Sequence, residues 1–129
     1  MTGADLINEL NNLNKKLSTG INLMAKYGKD YADAERDYKI TLNQECLKLR
    51  DSGMAVTLID KVVYGVKEVA DKRFKRDTAE IMWKTAQENI NAIKLQIRIL
   101  DSQISREWSN TNEWEIWRIF IWWNILYRW

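Results

Sequence analysis

The sequence lacks proline and histidine and has only five glycines among its 129 residues. Folds rich in turns, loops or β-hairpins normally use many more glycine and proline residues. Their scarcity predicts long, uninterrupted helices. Cys46 is the only cysteine, which excludes an intramolecular disulfide and favours a reducing cytosol. These absences predict an all-α fold.

Residues that usually carry catalysis are also missing. The chain has no glycine-rich phosphate loop, no cysteine pair and no serine in a nucleophile elbow. We therefore predict a protein that is not an enzyme, with no catalytic residues, no cofactor and no metal site. Asp30, Asp33 and Asp37 are near one helix face, but basic residues interleave them. Cys46 has no histidine to activate it, so we expect a small core residue there.

Charge and hydropathy indicate in which compartment the protein is expected and which classes of partner are not expected. The formal net charge is only +2, and the two signs are mixed, unlike a dedicated nucleic-acid binder. The N-terminal segment MTGADLINEL has neither the basic nor the apolar region of a secretory signal. No run of about 20 apolar residues is present, so a membrane-spanning helix is not expected. We predict a cytoplasmic protein without a membrane partner.

The first half of the chain has a heptad-like apolar pattern. Thr2 and Asp5 are start signals for a helix, and Gly53 is a stop signal, since glycine readily takes a left-handed conformation after a helix. Gly20 is a position where the helix could bend or split. The apolar stripe, with spacings of mostly three or four residues, consists of Leu6, Leu10, Leu13, Leu17, Met24, Tyr27, Tyr31, Ala34, Tyr38, Leu42, Cys46 and Leu49. Such a stripe favours a supercoiled partner helix along its length.

A short connector and a second long helix follow. Thr57 is the expected N-cap of a helical turn over Leu58–Tyr64, which Gly65 ends. The second helix is predicted over about 66–107, with the stripe Val69, Phe74, Ala79, Trp83, Ala86, Ile90, Ile93, Ile97, Leu100 and Ile104. A second apolar line, formed by Ala92, Leu95 and Ile99, widens its apolar face. The fold prediction is a long antiparallel, coiled-coil-like helical hairpin that forms a homo-oligomer, because one hairpin buries too little of this surface.

The candidate partner-binding residues form a basic run near the start of the second helix. They are Lys67, Lys72, Arg73, Lys75 and Arg76. Three interpretations are open: the cations bind nucleic-acid phosphates, they bind an acidic protein, or they form a solvated helix face around a core Phe74. Asp71 and Asp77 flank the run and weaken its field.

The C-terminal segment differs in composition from the rest, so we predict a helical hairpin domain over 1–108 and a tryptophan-rich tail over 109–129. Five of the seven tryptophans lie in this tail. The candidate hydrophobic-contact residues are Trp114, Trp117, Trp122 and Trp123. The tail is interpreted as an interfacial membrane anchor, a hydrophobic hook for a partner, a helix that caps the core, or a non-native extension produced by read-through past a stop near residue 109.

Residues 50–107 contain sequence features that are similar to those of a known group of proteins. The features are the Gly53–Thr57–Asp60 connector, the A-Q-E-x-I-N segment at Ala86–Asn91 and the K-x-x-I-R-I-L-x-x-Q-I segment at Lys94–Ile104. With these features, about 1–108 resembles small all-helical early proteins of temperate phages of Gram-positive bacteria. The resemblance implies a phage origin and a host-cytoplasm setting, and it assigns no site residue.

Two functions follow as expectations from this resemblance. The first is inhibition of a host defence or nuclease complex, such as a CRISPR effector, by protein–protein contact. The alternative is an accessory role in phage DNA recombination or replication, in which the chain binds nucleic acid or a DNA-bound protein. The expected partner is therefore a host or phage protein complex, with nucleic acid as the alternative.

Overall fold

The structure is a computed structural model that describes residues 2–109 and 114–128, with the side chains of residues 117–128 in the second range. The helices are α1 (Gly3–Asp51), α2 (Val56–Val62), α3 (Lys67–Trp108) and α4 (Trp114–Tyr127), with a 3-10 turn at Val63–Gly65 before α3. No strand occurs in these ranges. The prediction of an all-α fold is confirmed.

Two compact units divide the chain. Unit 1 contains residues 1–21 and 88–129, and unit 2 contains residues 22–87. In each unit α1 packs antiparallel against α3. In unit 1, the backbone at Gly3 lies against Trp108 and that at Gly20 against Ile90. In unit 2, Gly28 lies against Trp83.

The start of α1 is fixed by a reciprocal cap. The Thr2 backbone N–H donates to Asp5 Oδ2 at 3.0 Å, and the Asp5 N–H donates to Thr2 Oγ1 at 3.2 Å. This arrangement satisfies two backbone donors that have no partner within the helix. The backbone hydrogen bond from Thr2 lowers the pKa of the Asp5 carboxyl below its ordinary value. The predicted start signals are confirmed.

The end of α1 also matches the sequence prediction. Gly53 has a φ of +89°, the left-handed conformation that glycine adopts without steric cost. Its N–H donates to the Arg50 carbonyl, and the Met54 N–H donates to the Leu49 carbonyl. These bonds close the last turn of the helix.

Glycine inside α1 allows a close approach rather than a break. The helix is continuous through Gly20 and Gly28. A Cβ at Gly28 would lie 3.2 Å from Trp83 Nε1. The Trp83 ring stacks on Tyr31, with ring centroids 5.5 Å apart and planes 16° apart. Gly28 thus lets the indole lie close against the backbone of α1.

The connector differs from the prediction in its capping residue. Ala55 is the N-cap of α2 and makes no side-chain capping bond, so the prediction of Thr57 as N-cap is wrong. The physical reason is that α2 begins at Val56, which places Thr57 inside the first turn. Gly65 ends the connector as predicted, and α3 begins at Lys67.

Each unit has its own apolar cluster. The cluster of unit 1 consists of Leu6, Leu10, Leu13, Leu100, Ile104 and Ile121. The cluster of unit 2 consists of Tyr38, Ile59, Val63 and Val69, with Leu42, Cys46, Leu49, Met54 and Val66 packed against it. The heptad-like stripe of α1 therefore supplies buried side chains to the clusters of both units. Cys46 is a free thiol that packs against the second cluster.

Candidate functional site

The basic run lies in the first half of α3, within unit 2. Lys67 Nζ is 3.7 Å from Asp71 Oδ2, and the Arg73 guanidinium lies 5.6 Å from the centroid of the Tyr64 ring. The side chains of both cations face solvent, where such contacts contribute little free energy. Lys67 and Arg73 therefore remain accessible to a partner.

Arg76 is held within the fold. Its Nη2 donates to Asp77 Oδ1 at 2.8 Å, and its guanidinium lies 4.5 Å from the centroid of the Tyr38 ring on α1. The hydrogen bond to Asp77 raises the pKa of Arg76 above its ordinary value. Arg76 thus pairs α3 with α1, and its side chain is only 21% exposed.

Phe74 faces solvent, so the interpretation of Phe74 as a core residue is wrong. Its side chain is 75% exposed. The reason is helix geometry: at about 100° per residue, Phe74 lies about 140° round the helix from the buried Val69. The spacing of five residues between them breaks the three–four alternation that keeps a stripe on one face. By the same count, Arg76 lies on nearly the same side of the helix as Val69, the side that faces the core.

A pocket of about 330 Å³ lies beside Phe74, between α1 and α3. Its lining residues are Tyr27, Asp30, Phe74, Lys75, Thr78, Ala79 and Met82. Thr78 already donates its hydroxyl hydrogen to the Phe74 carbonyl at 2.9 Å. The pocket therefore offers mainly aromatic and aliphatic surface to a ligand, with one carboxylate and one ammonium group.

The exposed apolar surface extends along α3 beyond this pocket. Ile81 follows Phe74 by seven residues, which places both side chains on one face of the helix, and Ile81 and Met82 are exposed. We name this region the Phe74 surface, and it consists of Tyr27, Asp30, Phe74, Lys75, Ile81 and Met82. Sequence reasoning misses it because the apolar stripe counts Phe74 as a core residue. A helical-wheel count from Val69 would find it.

One member of the basic run belongs to the Phe74 surface, and a second lies one turn before it on α3. Lys75 lines the pocket and is exposed, and Lys72 is half-buried one turn earlier. Neither side chain forms an ion pair within the described part of the chain. The surface thus combines an exposed aromatic residue with one ammonium group, that of Lys75, and one carboxylate, that of Asp30.

The tryptophan-rich tail lies in unit 1, where α4 packs on α1 and α3. Ile121 is 4% exposed and belongs to the cluster of Leu6 and Leu100. Trp117 packs against Trp108, with ring centroids 5.2 Å apart. These are the contacts of a helix that covers a core.

The candidate contact residues of the tail are unequally placed. Trp122 and Trp123 are both exposed, and Trp123 lies 5.0 Å from Tyr127 between ring centroids. Trp117 is half-buried. The side chain of Trp114 lies outside the described part of the structure. An exposed aromatic surface therefore remains on α4.

A second cavity, of about 250 Å³, lies within unit 1 and includes Asn14, Leu17, Trp122 and Ile125 in its lining. The Asn14 side chain is buried, and its Oδ1 has no hydrogen-bond partner among the described residues. An unpaired buried acceptor costs free energy. The heptad-like pattern gives no sign of this residue, because it records only apolar positions.

The three aspartates near residues 30–37 do not converge on a common point for a metal ion. Arg36 Nη2 lies 3.7 Å from Asp33 Oδ1 and 3.6 Å from Asp37 Oδ1, while Asp30 lines the pocket beside Phe74. Within the described ranges, no three histidine, cysteine, aspartate or glutamate side chains are placed to hold a metal ion. The positive charge of the Arg36 guanidinium therefore partly balances the negative charges of Asp33 and Asp37.

Comparison with protein-family models, with curated proteins and with solved structures gives no match to this chain. Among the described residues, none of the helices combines the length and the apolar character needed to cross a membrane.

Proposed function

We propose that this chain is a non-enzymatic binding protein that acts by protein–protein contact through the Phe74 surface. The observation that carries the proposal is the 75% exposure of Phe74 beside an apolar pocket. Aromatic side chains that fill a pocket or insert into one dominate the free energy of many protein interfaces. Phe74 is placed to act as such an anchor.

The charges around Phe74 define the chemistry of the partner. Lys75 places positive charge beside the pocket, so the complementary surface presents a carboxylate to it. The pocket between Tyr27 and Met82 accepts an apolar side chain from that surface. The proposed partner is therefore a protein that presents an apolar residue with a carboxylate beside it to face Lys75.

The resemblance to phage early proteins suggests the class of partner. On that basis we propose a phage protein in the host cytoplasm that inhibits a host defence or nuclease complex. The cations of the basic run on α3 would be repelled by the positively charged channel in which a nuclease holds its substrate. The contact we propose is thus on an acidic protein surface outside that channel.

The test is capture of a partner from a Gram-positive lysate treated with nuclease. We expect the tagged wild-type protein to capture a stoichiometric protein, and Phe74→Ala to lose most of it, since truncation of an anchor typically weakens binding by about 2 kcal/mol or more. Leu47→Ala is the matched control, because Leu47 is an exposed apolar residue of the same unit. Equal capture by the wild type and Phe74→Ala would refute the assignment of this surface.

A second candidate function, binding of single-stranded nucleic acid, is favoured by the same exposed ring. Bases stack on aromatic side chains that are bordered by cations. Asp71 lies opposite Lys67, and Arg76 is paired with Asp77 inside the fold, so fewer free cations remain than the sequence suggests. If capture in the lysate disappears on nuclease treatment and falls steeply with salt, this second function replaces the first.

A further inference from the structure

The α1–α3 pair of unit 1 has two edges, and the described side chains of α4 that contact the pair lie along one of them. Ile121 packs into the cluster, and Trp122 and Ile125 line the cavity beside Leu17 and Ile97. The opposite edge is a groove of about 480 Å³ that no described residue of α4 lines. Among the described side chains of α4, none covers this second edge of unit 1.

The open groove has an apolar centre on α3. Ile99 lines it and is 58% exposed, and Leu95, one turn earlier on the same helix, is also exposed. Leu13 and Leu100 form its buried base. Exposed aliphatic side chains above a buried apolar base are typical of a surface that is covered by another helix.

If two copies of the chain were related by a two-fold axis at this groove, complementary polar residues of the two copies would face one another. On α1, Glu9 and Lys16 are seven residues apart, so they lie two turns apart on the same face. On α3, Gln96 and Gln103 have the same spacing, with Ile99 between them. In an interface between identical copies related by a two-fold axis, each residue of a pair meets the other residue of the pair from the second copy.

We propose that a second copy of this chain covers the groove by such a two-fold pairing. Glu9 of each copy meets Lys16 of the other, Gln96 meets Gln103, and Ile99 lies near the axis. Neither Glu9 nor Lys16 has an ion-pair partner within the described part of its own chain, so both charges are available to the second copy. The charge pattern thus selects a second copy of the chain over an unrelated helix.

This dimer does not rest on the proposed function, because the groove is in unit 1 and the Phe74 surface is in unit 2. Where both hold, each dimer carries two Phe74 surfaces. Binding to a partner that presents two sites then gains from effective concentration, without any further contact.

The test is the molar mass in solution across a range of protein concentrations, measured by sedimentation for the full chain and its charge variants. We expect the wild type to dimerise. Glu9→Lys and Lys16→Glu each place like charges opposite one another at two points, so each variant alone should dissociate at least about tenfold more readily. The double variant E9K/K16E restores opposite charges and should dimerise like the wild type.

Mixing the two single variants separates this pairing from any other effect of the substitutions. Each variant alone has like charges at both contact points, whereas in the mixture the two cations of the E9K chain face the two carboxylates of the K16E chain. The mixture should therefore form heterodimers. Lys15→Glu is the matched control, because it makes the same charge change on an exposed residue outside the groove. A monomeric wild type, or a dimer that is indifferent to all of these charges, would overturn the proposal.

Discussion

Leu6→Ala is expected to lower the free energy of unfolding by about 3 kcal/mol, among the largest losses that a single truncation in this chain should cause. The Leu6 side chain is 0% exposed and packs in the cluster of Leu10, Leu100 and Ile104. Truncation removes buried methyl groups and leaves a cavity between helices, and both effects destabilise the folded state. Urea unfolding followed by circular dichroism measures the change.

The control for this prediction is Leu47→Ala. Leu47 is also on α1, but its side chain is 58% exposed, so the same substitution there should change the free energy of unfolding by about 0.5 kcal/mol or less. Equal effects at the two positions would show that the apolar stripe of α1 does not form the cluster described here.

Ile121→Ala is expected to cost about 2 kcal/mol, and this prediction tests whether α4 is part of the fold. Ile121 is 4% exposed within the cluster of unit 1. A buried isoleucine truncated to alanine loses about 2 to 5 kcal/mol. The lower figure applies here because most of the described side chains of α4 are exposed, so this helix can shift and partly fill the cavity. The measurement is again urea unfolding, with tryptophan fluorescence as a second probe.

The matched control lies two residues away on the same helix. Ile119 is 68% exposed, so Ile119→Ala should leave the unfolding midpoint nearly unchanged. If Ile121→Ala is equally silent, α4 contributes nothing to the core. The interpretation of residues 109–129 as an extension outside the fold would then be preferred.

The long helices could be predicted well because their signals are local or strictly periodic. The stripe from Leu6 to Leu49 places apolar residues on one face of α1, and the caps at Thr2 and Gly53 mark its ends. Such signals depend on helix geometry and backbone chemistry alone. They do not depend on which residues from other parts of the chain pack against the helix.

Features that depend on tertiary contacts could not be predicted from the sequence. In the tail, apolar residues surround the helix on nearly all sides, so no periodicity distinguishes the buried Ile121 from the exposed Ile119. The role of Gly28 depends on the indole of Trp83, which is 55 residues further along the chain. The division into two units likewise cuts across α1 and α3 without any break in their patterns.

The candidate site shows an intermediate case. The basic run is visible in the sequence, but the structure separates Arg76, which pairs with Asp77 and Tyr38, from Lys75, which lines the pocket. The stripe predicted from the sequence includes Phe74 because this residue is apolar and lies between other apolar positions of the stripe. It therefore assigns Phe74 to the core. A charge run thus locates a surface, while the angular position of each residue on the helix decides which side chains a partner meets.

Site-specific photo-crosslinking at position 74 tests the proposed function most directly. Phe74→p-benzoylphenylalanine keeps an aromatic side chain at the centre of the Phe74 surface, and the same substitution at Leu47 is the control. In nuclease-treated Gram-positive lysate, we predict one discrete protein adduct from position 74 and none from position 47. Adducts of equal yield from both positions, or an adduct to nucleic acid when nuclease is omitted and none to protein, would contradict a protein contact centred on Phe74.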